Sequence, residues 1–122
     1  MRFTESHEWL QIKSKEENIA TVGITDYAQK ELGEIVYVEL PKVGQKVKAG
    51  QEICVLESTK AAADVYAPVS GKITAINEAA RSAPSMINQT AESTGWLFQI
   101  ELSHPKELDH LLSRDRYQAL IN

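Results

Sequence analysis

The stretch from residue 44 to residue 71 reads Gly44-Gln45-Lys46-Val47-Lys48-Ala49-Gly50-Gln51-Glu52-Ile53-Cys54-Val55-Leu56-Glu57-Ser58-Thr59-Lys60-Ala61-Ala62-Ala63-Asp64-Val65-Tyr66-Ala67-Pro68-Val69-Ser70-Gly71. The segment 51–57 follows a glycine and is rich in apolar residues, which predicts a strand. A second, shorter strand is expected over residues 65–67. Lys60 lies between the two strands.

Residue propensities alone do not decide how the chain turns around Lys60. Ala61-Ala62-Ala63 is a helix-forming run, and Ser58 could cap a helix there. No Asn-Gly pair marks a tight hairpin turn. In isolation, Lys60 would be interpreted as an ordinary solvated surface lysine.

Short strands are also predicted on both sides of this stretch, over residues 19–24, 34–40, 72–76 and 96–100. Thr25 is placed to cap a short helix from Asp26 to Leu32, and Gly33 is placed to end it. Many short strands with frequent turns indicate a flattened β-barrel or sandwich.

The remaining segments predict loop and C-terminal helix. Residues 77–95 are small and polar, so they are expected to be mostly loop. Ser103 could cap a helix with Pro105 in its first turn, and a second helix should follow Ser113. The expected fold is one mainly β domain over residues 1–122, with short helices mostly at the C-terminus from about residue 104. The stripe of Tyr117, Leu120 and Ile121 is expected to face the core.

Composition excludes several functional classes. The net charge is −4 and the pI is near 5.4, without the clustered basic face of a nucleic-acid-binding protein. No apolar run is long enough to predict a membrane span. The polar N-terminus lacks signal-peptide features, so a cytoplasmic location is expected, although an organelle form without its transit peptide would look the same. The single cysteine, Cys54, lies in an apolar run and is expected to be a buried, inert residue.

The sequence also lacks the usual signs of an active site. No nucleophile elbow, P-loop, dinucleotide fingerprint or zinc-protease motif is present. The three histidines, His7, His104 and His110, do not have the spacing of metal ligands. The chain is therefore expected not to be an enzyme.

The stretch 44–71 resembles the lipoyl and biotinyl carrier domains, in which a modified lysine sits at the tip of a hairpin. The resemblance rests on Gly50, on Glu57 three residues before Lys60, on Ala61, and on Gly71. Biotinyl domains carry a methionine on each side of the lysine. Thr59-Lys60-Ala61 has neither, which favours lipoate. The resemblance implies a barrel-sandwich hybrid.

A wider resemblance, to the glycine cleavage H proteins, covers nearly the whole chain. It rests on separated motifs: Ser6-His7-Glu8-Trp9, Gly23-Ile24-Thr25-Asp26-Tyr27-Ala28-Gln29, Leu32-Gly33-Glu34-Ile35-Val36, Val38-Glu39-Leu40-Pro41, Glu57-Ser58-x-Lys60-Ala61, Asp64, Pro68-Val69-Ser70-Gly71, Asn77-Glu78 and Gly95-Trp96. Lipoyl domains of the 2-oxoacid dehydrogenases lack the first motif and the C-terminal helices.

This resemblance implies a non-catalytic carrier with lipoate attached covalently to Lys60. The implied cargo is the aminomethyl group of glycine, taken from the decarboxylase (P protein) to the aminomethyltransferase (T protein). The implied further partners are the dihydrolipoamide dehydrogenase (L protein) and a lipoate ligase or lipoyl transferase. Glu57 would take part in lipoylation recognition, and Ser6, Glu8 and Asp64 would contact the arm in a cleft. A carrier that enters several active sites is expected to be a monomer.

Three departures from the family pattern are present, and the one in the loop at Ala91-Glu92 keeps alternatives open. Thr59 stands where the family commonly has an apolar β-branched residue, and it keeps the β-branch. Ala91-Glu92 stand where the family usually has a Pro-Tyr pair, which should loosen the loop, and Ala63 replaces a commonly polar residue. The chain could instead be a lipoyl-relay protein that passes lipoate to 2-oxoacid dehydrogenases. It could also be an unmodified interaction domain that has lost the cofactor.

Overall fold

The computed structural model describes all 122 residues. The strands are β1 (Arg2–Phe3), β2 (Glu8–Ser14), β3 (Ile19–Ile24), β4 (Ile35–Glu39), β5 (Lys46–Val47), β6 (Glu52–Ser58), β7 (Ala62–Tyr66), β8 (Gly71–Ile76) and β9 (Phe98–Leu102). The helices are α1 (Asp26–Leu32), α2 (Glu78–Ser82), α3 (Ser85–Thr90) and α4 (Arg114–Ile121), with a 3₁₀ helix at Pro105–His110. No helix is long and apolar enough to cross a membrane.

Two antiparallel sheets enclose the core. One has six strands in the order β1-β2-β3-β9-β8-β5, and the other has three in the order β4-β6-β7. Fully buried aliphatic side chains from both sheets meet between them, among them Val22, Ile73 and Ile100 from the large sheet and Leu56 from the small one. Such apolar burial is the main favourable term in folding. The predicted flattened, mainly β architecture is confirmed.

Helix α1 begins and ends where the sequence predicts. Thr25 Oγ1 accepts a hydrogen bond from the Ala28 backbone N–H (3.2 Å) and also pairs with the Tyr117 hydroxyl (2.7 Å). Gly33 ends the helix with φ 83°, a conformation that costs glycine little. The cap therefore ties α1 to the C-terminal helix.

Replacing Thr25 with valine should lower the free energy of unfolding by about 1–3 kcal/mol, because the buried cap and the bond to Tyr117 are both lost. Urea unfolding measures this change. The matched control is Thr74→Val, since Thr74 Oγ1 is buried without a hydrogen-bond partner. That variant should be neutral or more stable, and equal destabilisation of the two variants would contradict the assignment.

The segment 77–95 is not mostly loop, because it contains α2 and α3. Each helix is too short for a detectable sequence period, and burial of Ala80 and Ile87 stabilises them. Asn77 Nδ2 donates to the carbonyls of Thr94 (2.9 Å) and Trp96 (2.7 Å), which closes the segment. The prediction of loop was wrong because these contacts are tertiary.

The C-terminal helices differ in detail from the prediction. Ser103 does not cap the first one, which is a 3₁₀ helix preceded by His104 without a side-chain cap. Ser113 does cap α4, accepting from the Arg116 backbone N–H (3.2 Å). Tyr117 is buried and stacks on Phe3 with ring centroids 4.7 Å apart. Leu120 is 50% exposed, so the stripe predicted to face the core is only partly buried.

Candidate functional site

Lys60 lies in the turn between β6 and β7, and the Ser58 side chain organises that turn. Ser58 Oγ accepts hydrogen bonds from the backbone N–H groups of Lys60 (3.1 Å) and Ala61 (3.0 Å) and donates to the Ala61 carbonyl (3.1 Å). Neither Thr59 nor Lys60 has a positive φ, so the turn requires no glycine or asparagine. The hydroxyl that could have capped a helix instead closes a hairpin.

The hairpin is anchored to the end of α1. The Thr59 backbone N–H donates to the Glu34 carbonyl at 3.0 Å. A side-chain carbon added to Gly33 would lie 3.3 Å from Lys60 Cε, so the lysine stem crosses the backbone at this glycine. Lys60 is exposed and makes no ion pair, which leaves its amine accessible.

A cleft of about 300 Å³ opens beside this hairpin. Its walls come from the start of β2 and the turn before it, from the end of β3, from α1, and from β6 and β7. The lining residues are Ser6, His7, Glu8, Ile24, Tyr27, Ala28, Glu31, Leu32, Leu56, Ala63, Asp64 and Val65. Leu32 directly precedes the glycine over which the Lys60 stem lies. The cleft therefore starts next to the lysine, and the structure brings Ser6, Glu8 and Asp64 together in it.

Glu8 is the most buried charged residue of the cleft, with 1% exposure. Its Oε1 accepts hydrogen bonds from the hydroxyls of Ser6 (2.6 Å) and Thr4, and its Oε2 accepts from the Tyr66 backbone N–H (3.2 Å). No lysine or arginine pairs with it. Hydrogen bonds to a charged acceptor are stronger than neutral ones, so these donors can hold a carboxylate without a cation.

The other cleft carboxylates are less constrained. Asp64 is exposed on β7 and has no hydrogen-bond partner, and Glu31 lies in the last turn of α1 without an ion pair. An acidic side chain at the C-terminal end of a helix is unfavourable with respect to the helix dipole. Sequence reasoning missed Glu31 and Tyr27. Their spacing of four residues on one helix was the available signal.

His7 links the cleft to the C-terminal helix. Its Nδ1 lies 2.8 Å from the Tyr117 hydroxyl, which also pairs with Thr25. Burial raises the pKa of Tyr117 above its ordinary value, so this phenol keeps its proton at neutral pH. His7 has a φ of 74°, an uncommon conformation for a residue other than glycine. The wall that carries Ser6 and Glu8 is thus held by tertiary contacts.

Glu57 does not line the cleft. It is exposed on β6, where its neighbours across the sheet are Tyr37 on β4 and Ala62 on β7. The structure therefore separates Glu57 from Ser6, Glu8 and Asp64, the three residues predicted to contact the arm. It leaves this carboxylate beside the hairpin, facing outward.

The loop at Ala91-Glu92, which departs from the family pattern, is held in place by hydrogen bonds and an ion pair. The Ala91 carbonyl accepts from Trp9 Nε1 (2.9 Å), and Glu92 Oε2 accepts from the Asp26 backbone N–H (2.9 Å) at the start of α1. Arg114 Nη2 also lies 3.4 Å from Glu92. A carboxylate at a helix N-terminus is favourable, so the expected loosening is offset by contacts that the sequence pattern did not indicate.

Cys54 is buried, as the sequence predicts. Burial raises the pKa of the Cys54 thiol to about 12, and the negative charges of Glu39 and Glu8 add to this effect. The thiolate is the reactive form of cysteine. No group of three or more histidine, cysteine or acidic residues in the structure could hold a metal ion.

At pH 8 the Cys54 thiolate population should be about one in ten thousand, because the raised pKa lies four units higher. A disulfide reagent should therefore react at least about a hundredfold more slowly with the native protein than with the urea-unfolded chain. Absorbance of the released thiol measures both rates. Similar rates for the two states would contradict the burial of this thiol.

Comparison with known proteins places the whole chain in one family. The family described as "Glycine cleavage H-protein" matches residues 1–122. The chain belongs to the glycine cleavage H-protein family. It is 51% identical to the glycine cleavage system H protein of Alcanivorax borkumensis over 122 residues, which is 100% of this chain and 93% of that protein. It is 50% identical to that of Thermotoga maritima over 117 residues, which is 96% of this chain and 92% of that protein.

A solved structure agrees with the sequence matches. The crystal structure of a glycine cleavage system H protein from Mycobacterium marinum superimposes with a TM-score of 0.88 and 35% identity, over 96% of this chain and 92% of that one. The chain is thus a lipoyl carrier of the glycine cleavage system. The hairpin lysine and the acidic cleft both lie within this H-protein fold.

Proposed function

We propose that this H protein carries lipoate as an amide on Lys60 and shelters its aminomethyl cargo in the cleft of Ser6, Glu8 and Asp64. The observation that supports the proposal is the position of an exposed lysine amine beside a cleft that holds a buried carboxylate without a cation. A cationic amine at the end of a tethered arm would supply the missing charge.

The residues of the cleft fit the group. About half of its lining is apolar, including Leu32, Leu56 and Val65, and suits the hydrocarbon part of a lipoyl chain. The carboxylates of Glu8 and Asp64 would face the amine of the cargo. When bound, the lipoyl group supplies the sulfur chemistry that accepts and releases the aminomethyl group.

Residues at the hairpin and in the cleft would then have separate tasks in transport. Ser58 and Gly33 present Lys60 at the surface, where an acylating enzyme can reach it. Ser6 and Thr4 orient Glu8, so that its carboxylate is in place before the cargo arrives. Exclusion of water from the cleft would slow hydrolysis of the cargo, while tethering raises its effective concentration at the next enzyme.

The protein itself would not catalyse these reactions. The P protein would load the carrier, the T protein would unload it, and the L protein would reoxidise the arm. A lipoate ligase or lipoyl transferase would attach the arm, with Glu57 part of the surface that it recognises. We propose that residues 1–122 act as one domain and as a monomer in the cytoplasm.

Reconstitution tests the proposal. The chain is incubated with lipoate, ATP and a lipoate–protein ligase, and mass spectrometry of its peptides should place one lipoyl group on Lys60. The lipoylated protein should then stimulate glycine decarboxylation by the P protein, whereas the unmodified protein should not. Full lipoylation without stimulation would contradict the glycine cleavage role and support the lipoyl-relay alternative.

A further inference from the structure

Strand β4 contains a bulge beside the carrier hairpin. Ile35 is opposite Ser58 on β6, but Tyr37 is opposite Glu57, so Val36 is an extra residue on β4. A bulge of this kind turns two consecutive side chains toward the same side of the sheet. Ile35 and Val38 remain buried, while Val36 and Tyr37 both point outward.

Val36 and Tyr37 form an apolar patch, called here the bulge patch. They are 52% and 49% exposed, and they belong to a small set of large apolar residues on the surface of this chain. The patch is one strand away from the Lys60 hairpin. The hydrogen bond from the Thr59 N–H to the Glu34 carbonyl holds the start of β4 against the turn. Adjacent exposed apolar side chains next to a functional group are typical of an interaction surface.

Acidic residues surround the bulge patch. Glu39 lies on β4, Glu34 directly precedes that strand, and Glu57 lies on β6. All three are exposed, and none of them makes a salt bridge. An apolar centre with a charged rim is the usual composition of a protein interface. The complementary partner surface is an apolar recess with basic residues around it, since opposite charges steer association.

The bulge patch and the arm cleft have no residue in common. In the small sheet, β4 is one edge strand and β7 is the other, with β6 between them. The β7 side contributes Ala63, Asp64 and Val65 to the cleft. A partner that contacts Val36 and Tyr37 therefore need not touch any residue that lines the cleft.

We propose that the bulge patch docks the enzyme that acylates Lys60, a proposal that rests on the carrier function above. In that reaction the neutral Lys60 Nζ attacks the carbonyl carbon of lipoyl adenylate, the mixed anhydride that the enzyme forms from lipoate and ATP. The amide C–N bond forms, the bond from the carbonyl carbon to the phosphate oxygen breaks so that AMP leaves, and the amine proton passes to solvent. Contacts on Val36 and Tyr37 place the hairpin so that the amine meets this carbonyl carbon.

The reach of the lysine favours the acylating enzyme over the enzymes that the arm later visits. An unmodified lysine extends roughly 6 Å from its backbone, so the enzyme that modifies it must contact the residues next to the hairpin. A lipoyl-lysine is roughly twice as long, and its later partners can dock further away. The bulge patch meets this condition, because β4 pairs with Glu57 and Ser58, the residues just before the Lys60 turn.

The test uses the double variant Val36→Thr/Tyr37→Thr, which places threonine, a β-branched residue suited to strands, at both positions while it removes apolar surface. With lipoate, ATP and a lipoate–protein ligase, its kcat/KM for acylation should fall at least tenfold, mainly through KM. The matched control is Val43→Thr, which removes a valine that is 60% exposed and outside the patch, and it should stay within twofold. Thermal unfolding verifies that all variants are folded, and the single variant Tyr37→Thr replaces the double variant if that protein unfolds.

Further measurements assign the effect. Protein driven to full lipoylation by long incubation should support glycine decarboxylation equally in the double variant and the wild type. Acylation of the double variant at the wild-type rate, or an equal fall for Val43→Thr, would overturn the proposal. A defect shared by acylation and decarboxylation would also overturn it, because the patch would then be a general docking surface. Failure of the wild-type protein to be acylated at Lys60 would instead contradict the carrier function.

Discussion

Lys60→Arg is expected to abolish carrier activity completely. Arginine keeps a positive charge and a long stem, so the packing over Gly33 and the fold should survive. The guanidinium group stays protonated and does not form the lipoyl amide. Mass spectrometry after incubation with ligase should detect no lipoyl group on the chain. Glycine decarboxylation should equal the rate without any carrier.

The control for this change is Lys72→Arg, which alters another exposed lysine on β8, away from the hairpin. It should be lipoylated and active at the wild-type rate. Carrier activity in Lys60→Arg, or a lipoyl group found on a different lysine of that variant, would rule out Lys60 as the attachment site. Unfolding midpoints within about two degrees of each other would show that the loss is chemical and does not come from misfolding.

Neutralising the cleft carboxylates should shorten the lifetime of the loaded carrier. Asp64→Asn removes a charge that faces the cleft and has no hydrogen-bond partner, so the free energy of unfolding should change by less than about 0.5 kcal/mol. A charge-assisted contact with the cargo amine contributes about 1.5–3 kcal/mol. The rate at which the isolated loaded carrier releases ammonia should therefore rise at least about tenfold.

Glu8→Gln should raise the same rate and also destabilise the fold. Both oxygens of Glu8 accept hydrogen bonds, and the glutamine amide would replace one of them with an NH₂ group. That donor would then face another donor, which is either the Tyr66 N–H or the hydroxyls of Ser6 and Thr4. An unsatisfied buried donor costs about 1–3 kcal/mol, which urea unfolding would measure. Asp109→Asn, an exposed change outside the cleft, is the control and should alter neither quantity. A loaded carrier of unchanged lifetime in both cleft variants would remove the cleft from the mechanism.

Local sequence patterns predicted the elements whose signals lie within a few residues. Helix α1 has the predicted bounds because Thr25 and Gly33 act on the adjacent backbone. Strand β3 also has the predicted bounds, since four of its six residues are β-branched. The bulge at Val36 was not predicted, because alternation in β4 is broken by its pairing with β6.

The predicted site residues came from resemblance to a family and not from spacing alone. Along the chain, Glu8 is 56 residues from Asp64 and Ser6 is still further away, so no local pattern links them. Their meeting depends on long-range contacts such as the Tyr66 N–H donating to Glu8 across 58 residues. Glu31 was not predicted, because no local pattern relates this residue of α1 to Glu8 or Asp64.

By itself, the sequence determined the mainly β class, the cap and end of α1, the inert cysteine and the identity of the lysine in its family motif. These depend on composition, short-range hydrogen bonding and the order of residues. Only the tertiary structure decided that Ser58 closes a hairpin, that residues 78–90 are largely helical, and that three carboxylates line one cleft. Each of these depends on contacts between distant segments, whose burial outweighs the weak local preferences of the chain.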